Sequence, residues 1–171
     1  MKKFELTSEF VTFLGKKLFR IKALISFGNV EEGELGGYVE KEENLSNDGN
    51  AWVSGDAWVY GDAEVCGNAR VSGDAEVCGN AWVYGNAWVY GDARVCGNAD
   101  YATVHGFGSE YRTTTFFRTK AGDIGVRCGC FYGTLEEFRA KVKETHGETK
   151  TAKEYLMVAD LMEFRFSKEE A

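Results

Sequence analysis

Residues 49–102 read GNAWVS GDAWVY GDAEVC GNARVS GDAEVC GNAWVY GNAWVY GDARVC GNADYA, a period of six without an insertion. Each unit opens with glycine, then Asp or Asn, then alanine, and valine recurs from Val53 to Val95 until Tyr101 takes its place. Gly-Asp and Gly-Asn tolerate positive φ, so they predict a sharp corner. Within A-x-V-x the side chains alternate, so Ala and Val share one side of a short strand.

Such a short strand cannot bury its valine alone, so neighbouring hexapeptides must share an interior. Val53-Ser54-Gly55-Asp56-Ala57 resembles the unit of the left-handed parallel β-helix family, with an aliphatic residue, Gly-Asp or Gly-Asn, and a small residue four places later. This resemblance implies a three-sided prism with roughly 18 residues per coil, hence about three coils. Residues that stack on one another in consecutive coils are then about 18 apart in the sequence.

Two more segments carry resemblances. Residues 33–53, GELGGYVEKEENLSNDGNAWV, resemble the leading segment of YdcK-like hexapeptide-repeat proteins. The run from Thr113 to Phe166 is similar to small hexapeptide-repeat proteins of phages and prophages, which have no established activity. The second resemblance implies a phage-encoded protein.

The flanking segments predict caps for the repeat. The apolar run Leu18–Phe27 indicates an N-terminal β hairpin or irregular β cap, which an open β-helix end requires. After the repeat we expect strands at 111–120 and 124–132, a helix from Thr134 to His146 with a Thr134/Glu137 capping box, and a helix at 150–164. The predicted fold is mainly β, with a β cap and first irregular coil at 1–48, a left-handed parallel β-helix at 49–105 and a C-terminal ββαα element at 106–171.

Composition narrows the classes of function. The net charge of -7 argues against binding duplex nucleic acid, which relies on phosphate neutralisation by Lys and Arg. No apolar run approaches the roughly 18 residues of a membrane span, and Glu5 stands where a signal peptide needs apolar residues. We therefore expect a cytoplasmic protein, in the host cytoplasm if phage-encoded. The five cysteines, Cys78 and Cys96 among them, are expected to be reduced thiols.

Outward positions can be grouped by face, because stacked residues are 18 apart. Every face is expected to present aromatic residues outward, and an apolar patch of this size marks an interface. Three interpretations remain open: a ladder covered by the flanks, a homotrimer interface as in most of the family, or a pocket where Trp and Tyr stack on a planar ligand and Arg meets a phosphate. The candidate binding residues are Trp52, Arg70, Trp88 and Tyr90 on one face, Trp58, Tyr60 and Arg94 on the second, and Trp82 and Tyr84 on the third.

Catalytic and metal-binding candidates are few. Many hexapeptide-repeat proteins are acyltransferases that use a coil histidine as general base with an acyl-coenzyme A donor, and His105 is the weak candidate here. The carbonic anhydrases of this fold need three histidine ligands, whereas only His105 and His146 are present. His146 is expected to close a helix before Gly147. Cys128 and Cys130 lack a second Cys/His pair for zinc.

The sequence therefore favours a non-enzymatic binding protein, a phage or prophage homotrimer without a cofactor. Its outward aromatic faces would bind a small nucleotide-like ligand or a host partner, for example in counter-defence. The alternatives are an acyltransferase that uses His105 and coenzyme A, and a purely structural trimer.

Overall fold

The computed structural model describes residues 1–168 and shows that the repeat folds as a parallel β-solenoid of three turns. Each hexapeptide contributes one short strand, and partners are separated by eighteen residues. Trp52 pairs with Arg70, and Arg70 pairs in turn with Trp88. The predicted separation of 18 residues between stacked partners is therefore confirmed. Each outward residue can thus be assigned to a face from its residue number.

The solenoid strands form three stacks. The first face contains β4, β7 and β10, the second face β3, β5, β8 and β11, and the third face β6 and β9. On the third face, Leu45 also forms a bridge with Val65 in the coil below. The strand bounds are β3 Leu35–Val39, β4 Trp52–Val53, β5 Trp58–Val59, β6 Glu64–Val65, β7 Arg70–Val71, β8 Glu76–Val77, β9 Trp82–Val83, β10 Trp88–Val89 and β11 Arg94–Val95.

Alanine and valine fill the interior. Every valine from Val53 to Val95 in the repeat is 0% exposed, and the alanines from Ala51 to Ala93 are at most 1% exposed. Burying each valine contributes roughly 1.5–3 kcal/mol relative to leaving it in water. The tryptophans of the repeat therefore lie outside this tube, at the strand positions between Ala and Val.

The N-terminal cap closes the top of the tube. Strands β1 (Phe4–Phe13) and β2 (Lys16–Ala23) form an antiparallel hairpin, and β2 continues the second face by pairing with β3. Phe4 and Ile21 join the valine core. Lys3 is also buried and donates from Nζ to the Ala51 carbonyl at 2.8 Å. Burial lowers the pKa of Lys3 to about 8.

The base of the tube is closed by aromatic residues, and here the sequence prediction is wrong by one unit. The ninth hexapeptide does not form a coil: Asn98–Asp100 is a short 3-10 turn, and Ala99 is exposed. Tyr101 still lies in the valine core, together with Phe117, and its hydroxyl donates to the Trp82 carbonyl at 2.5 Å. Burial raises the pKa of Tyr101 to about 12.

The C-terminal unit is a four-stranded antiparallel sheet with two helices. Its strands run in the order β12 (Tyr101–Phe107), β13 (Arg112–Arg118), β14 (Ile124–Cys128) and β15 (Phe131–Thr134). We predicted only two strands, because the end of the repeat concealed the first and a turn at Gly129 divides the last two. The helices are α1 (Leu135–His146) and α2 (Lys150–Phe166), and the Thr134 Oγ1 atom caps α1 by accepting from the Glu137 amide as expected. Neither helix is long and apolar enough to cross a membrane.

Cys78 and Cys96 are stacked neighbours on consecutive coils, with their Cα atoms 4.3 Å apart. Within residues 1–168, Cys66, Cys128 and Cys130 are free thiols. Cys128 ends β14, and Cys130 lies in the turn that follows it.

Gly79 and Gly85 provide a matched test of coil stacking. Both occupy solenoid corners at positive φ, 63° and 68°. A Cβ atom at Gly79 would collide with the Cys96 carbonyl oxygen of the next coil, whereas one at Gly85 meets nothing within 4 Å. We expect Gly85→Ala to lower the free energy of unfolding only by the local backbone strain, about 1–2 kcal/mol. Gly79→Ala should lower it clearly more, and urea unfolding measures both. Equal losses would contradict the stacking.

Candidate functional site

The hairpin covers the second face. Near the tip of the hairpin, the centroid of the Phe13 ring lies 5.0 Å from that of Trp58 and 5.7 Å from that of Tyr60. Tyr60 is 8% exposed and Trp58 is half-buried. The expectation that this face exposes its aromatic residues is therefore wrong, because the N-terminal cap supplies the apolar cover.

Beneath the hairpin lies a buried polar group. The Tyr60 hydroxyl donates to the Glu76 carboxylate, and Arg94 lies 4.0 Å from the same carboxylate oxygen. Glu76 is 8% exposed, so these partners satisfy a carboxylate that would otherwise be costly to bury. Burial first, and then the hydrogen bond to Glu76, raise the pKa of Tyr60. Of the predicted binding residues on this face, Tyr60 thus forms an internal contact, whereas Arg94 is exposed to solvent.

The third face stays open. Trp82 is 50% exposed and Tyr84 is 54% exposed, and their ring centroids lie 4.9 Å apart. The Trp82 indole Nε1 atom lies 2.9 Å from the Cys66 sulfur, toward which its N–H points. Here the predicted outward aromatic residues are available to solvent.

A groove of about 380 Å³ runs along the first face. Its floor is the column of Trp52, Arg70 and Trp88, and its rim includes the loop from Gly28 to Glu34. Small-ligand sites commonly have a volume of roughly 300–1,000 Å³. The groove is therefore large enough for a compact small molecule, and it includes three of the predicted binding residues.

Trp52 forms the closed end of the groove. It is 5% exposed and packs edge-on against Phe27, with 5.4 Å between ring centroids. The indole N–H groups of Trp88 and Trp82 each point to a side chain sixteen residues earlier, Ser72 and Cys66. The equivalent position for Trp52 is Gly36, and within residues 1–168 its buried Nε1 has no hydrogen-bond partner. Packing alone therefore holds the Trp52 side chain.

Arg70 is the cation on the groove floor. Its guanidinium carbon lies 5.4 Å from the centroid of the Trp88 ring, a distance at which cation–π attraction operates. Within residues 1–168 Arg70 makes no cation–π contact with Trp52, the other tryptophan of the column, which packs against Phe27. Arg70 is half-buried, and no carboxylate lies within 4.0 Å of it in the described chain.

Polar ladders flank this cation. Asn50, Asn68 and Asn86 stack along one corner, joined by amide hydrogen bonds of 3.2 and 3.3 Å. Ser54 and Ser72 line the other side. The groove therefore combines an aromatic wall, a guanidinium and neutral hydrogen-bonding groups, with the Glu34 carboxylate on its rim. The first three can hold a planar ligand whose anionic group meets Arg70.

Arg127 and Tyr132 also contact the first face, and sequence reasoning missed both. The Arg127 guanidinium carbon lies 3.9 Å from the Trp88 ring centroid and 4.4 Å from that of Tyr90. Tyr132 packs edge-on against Tyr90 at 4.9 Å. These contacts join the C-terminal sheet to the solenoid, so no periodicity in the sequence could have revealed them.

The two histidines lie at separate places in the C-terminal unit. His105 is exposed on β12, and its Nδ1 atom lies 2.9 Å from the Thr113 hydroxyl oxygen. No carboxylate lies within 4.0 Å of His105 in residues 1–168. His146 ends α1 before Gly147, as predicted, and packs against Tyr155. The described chain contains no cluster of three or more His, Cys, Asp or Glu arranged to hold a metal.

Comparison with known protein families supports the repeat architecture. Residues 63–79 and 75–91 each match the family model described as the YdcK Beta solenoid repeat. The match lies within the repeat itself, and not in the 33–53 segment where we noted the resemblance. No curated protein matches the chain. The family match thus supports a β-solenoid repeat protein, a fold consistent with a structural or interaction role.

The Tyr60–Glu76 contact makes a prediction about stability. Tyr60→Phe removes the hydroxyl donor from a buried carboxylate, so we expect the free energy of unfolding to fall by about 1–3 kcal/mol. The control is Tyr84→Phe on the open third face, for which we expect a change within about 0.5 kcal/mol. Chemical denaturation measures both. Similar values for the two variants would show that the buried contact is not what stabilises this face.

Proposed function

We propose that this protein is a non-enzymatic interaction protein whose first-face groove binds a small, planar, nucleotide-like ligand. The observation that carries the proposal is Arg70, a half-buried guanidinium on the groove floor beside Trp88 with no carboxylate partner within residues 1–168. Placing such a cation in a partly dehydrated groove costs free energy unless an anion accompanies it. A ligand anion would recover that cost.

Specificity would come from the groove walls. The exposed part of Trp88 offers a π surface for a planar ring, and the asparagine ladder offers amide donors and acceptors to its edge. The serine hydroxyls on the opposite side of the groove can accept or donate hydrogen bonds. These groups suit a heterocyclic base better than an aliphatic chain, and the proposed binding needs no cofactor.

The open third face supports a second part of the proposal, self-association into a homotrimer. Trp82 and Tyr84 are exposed side by side on a rigid solenoid face, and aromatic residues are enriched at the centres of protein interfaces. If the protein is phage-encoded, a trimer that sequesters a host nucleotide signal or binds a host partner would suit a counter-defence role. A purely structural trimer would use the same third face and leave the groove without a ligand.

Thermal-shift measurements with a panel of nucleosides and nucleotides test the groove. A ligand present at 100 times its dissociation constant should stabilise the protein by about 2.7 kcal/mol. We expect Arg70→Gln to reduce this stabilisation strongly, and the matched control Arg165→Gln, an exposed site on α2 with the same change of charge, to retain it. If no member of the panel raises the melting temperature, the nucleotide form of the proposal is wrong.

A further inference from the structure

A second cavity, of about 220 Å³, lies within the C-terminal unit. Its walls are the turn between β12 and β13, the turn between β14 and β15, one side of α1 and the Tyr155 side chain of α2. Phe131, Phe138 and Val142 make part of this wall apolar. The volume is below the roughly 300–1,000 Å³ of sites that enclose a whole small ligand. The cavity can therefore take in one arm of a ligand while the rest of that ligand stays in solvent.

Two free thiols line this cavity from one turn. Cys128 ends β14 and pairs with Phe131 on β15, so Gly129 and Cys130 are the two residues of the hairpin turn. Gly129 takes the first of these positions with φ 57°, which is where a type II′ turn requires glycine. Cys130 is exposed, whereas Cys128 is half-buried. The turn thus presents one accessible thiol and one shielded thiol to the same cavity.

The shielded thiol, Cys128, is engaged by its own surroundings. The buried Thr114 hydroxyl donates to its sulfur at 3.2 Å, and the Tyr155 hydroxyl lies 3.9 Å from the same sulfur. Burial first, and then the neighbouring Cys128 sulfur, raise the pKa of Tyr155 to about 12, so this hydroxyl keeps its proton at neutral pH. Access and free lone pairs both favour attack by a thiol. Cys130 is therefore the freer nucleophile of the two.

The cavity carries more positive than negative side chains. Arg112 and Lys141 line it together with His146, and Glu110 brings one carboxylate to the same wall. Within residues 1–168 no carboxylate lies within 4.0 Å of Arg112, and the partner of Lys141 is the exposed Glu144 at 3.6 Å. An exposed ion pair contributes little free energy. Both cations can therefore bind an anionic group of a ligand.

Arg112 lies against the turn that carries both thiols. A Cβ atom at Gly129 would collide with the Arg112 guanidinium, so this group packs on the backbone between Cys128 and Cys130. The same guanidinium is close enough to the Tyr155 hydroxyl to oppose the rise in its pKa. A cation beside a reactive sulfur can hold the anionic end of a molecule whose other end reacts with that sulfur.

We propose that this cavity is a site of thiol–disulfide exchange, at which Cys130 captures one half of a low-molecular-weight disulfide that carries carboxylates. The Cys130 thiolate attacks one sulfur of the disulfide, a bond forms between these two sulfurs, and the sulfur–sulfur bond of the ligand breaks. The other half leaves as a thiolate and takes up the proton that Cys130 released, so the disulfide itself is the oxidant. Arg112 and Lys141 bind a carboxylate of the captured half. The site is separate from the first-face groove, and it does not depend on the proposed function.

Two alkyl disulfides of different charge test the site on the full chain: glutathione disulfide, which is anionic, and hydroxyethyl disulfide, which is neutral. Mass-spectrometric peptide mapping without reduction gives the rate of capture at each cysteine. We expect Cys130 to react about tenfold faster with glutathione disulfide, since charge-assisted hydrogen bonds hold that reagent in the cavity. Cys66, a free thiol on the third face, should show no such preference, because the net charge of -7 repels the anion.

Matched variants isolate the contribution of each cation. Arg112→Gln and Lys141→Gln should each reduce the preference of Cys130 for the anionic disulfide severalfold. Arg165→Gln on α2 and Lys143→Gln on α1 make the same change of charge at exposed positions outside the cavity, so they should leave the preference unchanged. The rate with hydroxyethyl disulfide should be the same in all four variants.

Cysteine variants test which thiol reacts. Cys130→Ser should abolish capture in the cavity, and Cys128→Ser should retain it. Thermal melts establish that each variant is folded, and Lys141→Gln, at an exposed helix position, decides the test if Arg112→Gln is not. A mixed disulfide on Cys128 instead of Cys130 would overturn the proposal. Equal rates with the two reagents at Cys130, or a preference that survives in both Arg112→Gln and Lys141→Gln, would also overturn it.

Discussion

The shared interior of alanine and valine is the constraint on which the other features of this protein depend. No two-residue strand could bury its valine alone, so each coil is stable only against its neighbours. Backbone hydrogen bonds follow this stacking: the Trp52 amide donates to the Ala69 carbonyl at 3.1 Å and the Trp58 amide to Ala75 at 2.9 Å. Because Ala and Val fill the tube, the residues between them must lie outside, which places tryptophan, arginine and glutamate in columns on the surface.

Each column then acquires a different environment from the segments that flank the solenoid. The hairpin covers the second face, so the contact between Tyr60 and Glu76 is buried. The third face is left open, with Trp82 and Tyr84 in solvent. On the first face, the N-terminal loop borders a groove over the column of Trp52, Arg70 and Trp88, and the C-terminal sheet brings Arg127 onto the Trp88 ring. One repeated unit thus gives three chemically distinct surfaces.

The sequence predicted the solenoid because its information is periodic: the glycine corners, the buried valines and the separation of eighteen residues all follow from the hexapeptide pattern. It also predicted the Thr134 cap, which depends on a local rule. What covers each face could not be predicted, because those contacts join residues with no periodic relation, such as Phe13 with Trp58 or Arg127 with Trp88.

The most direct test of the account is detection of the hydrogen bonds between coils by NMR. Scalar couplings across hydrogen bonds connect an amide nitrogen to the carbonyl carbon that accepts its proton, so they report register without reference to side chains. The account predicts couplings from Trp52 to Ala69, from Trp58 to Ala75 and from Arg70 to Ala87, each joining an amide to the residue seventeen positions later. Couplings at any other constant spacing would contradict the stacking, and with it the assignment of Trp52, Arg70 and Trp88 to one face.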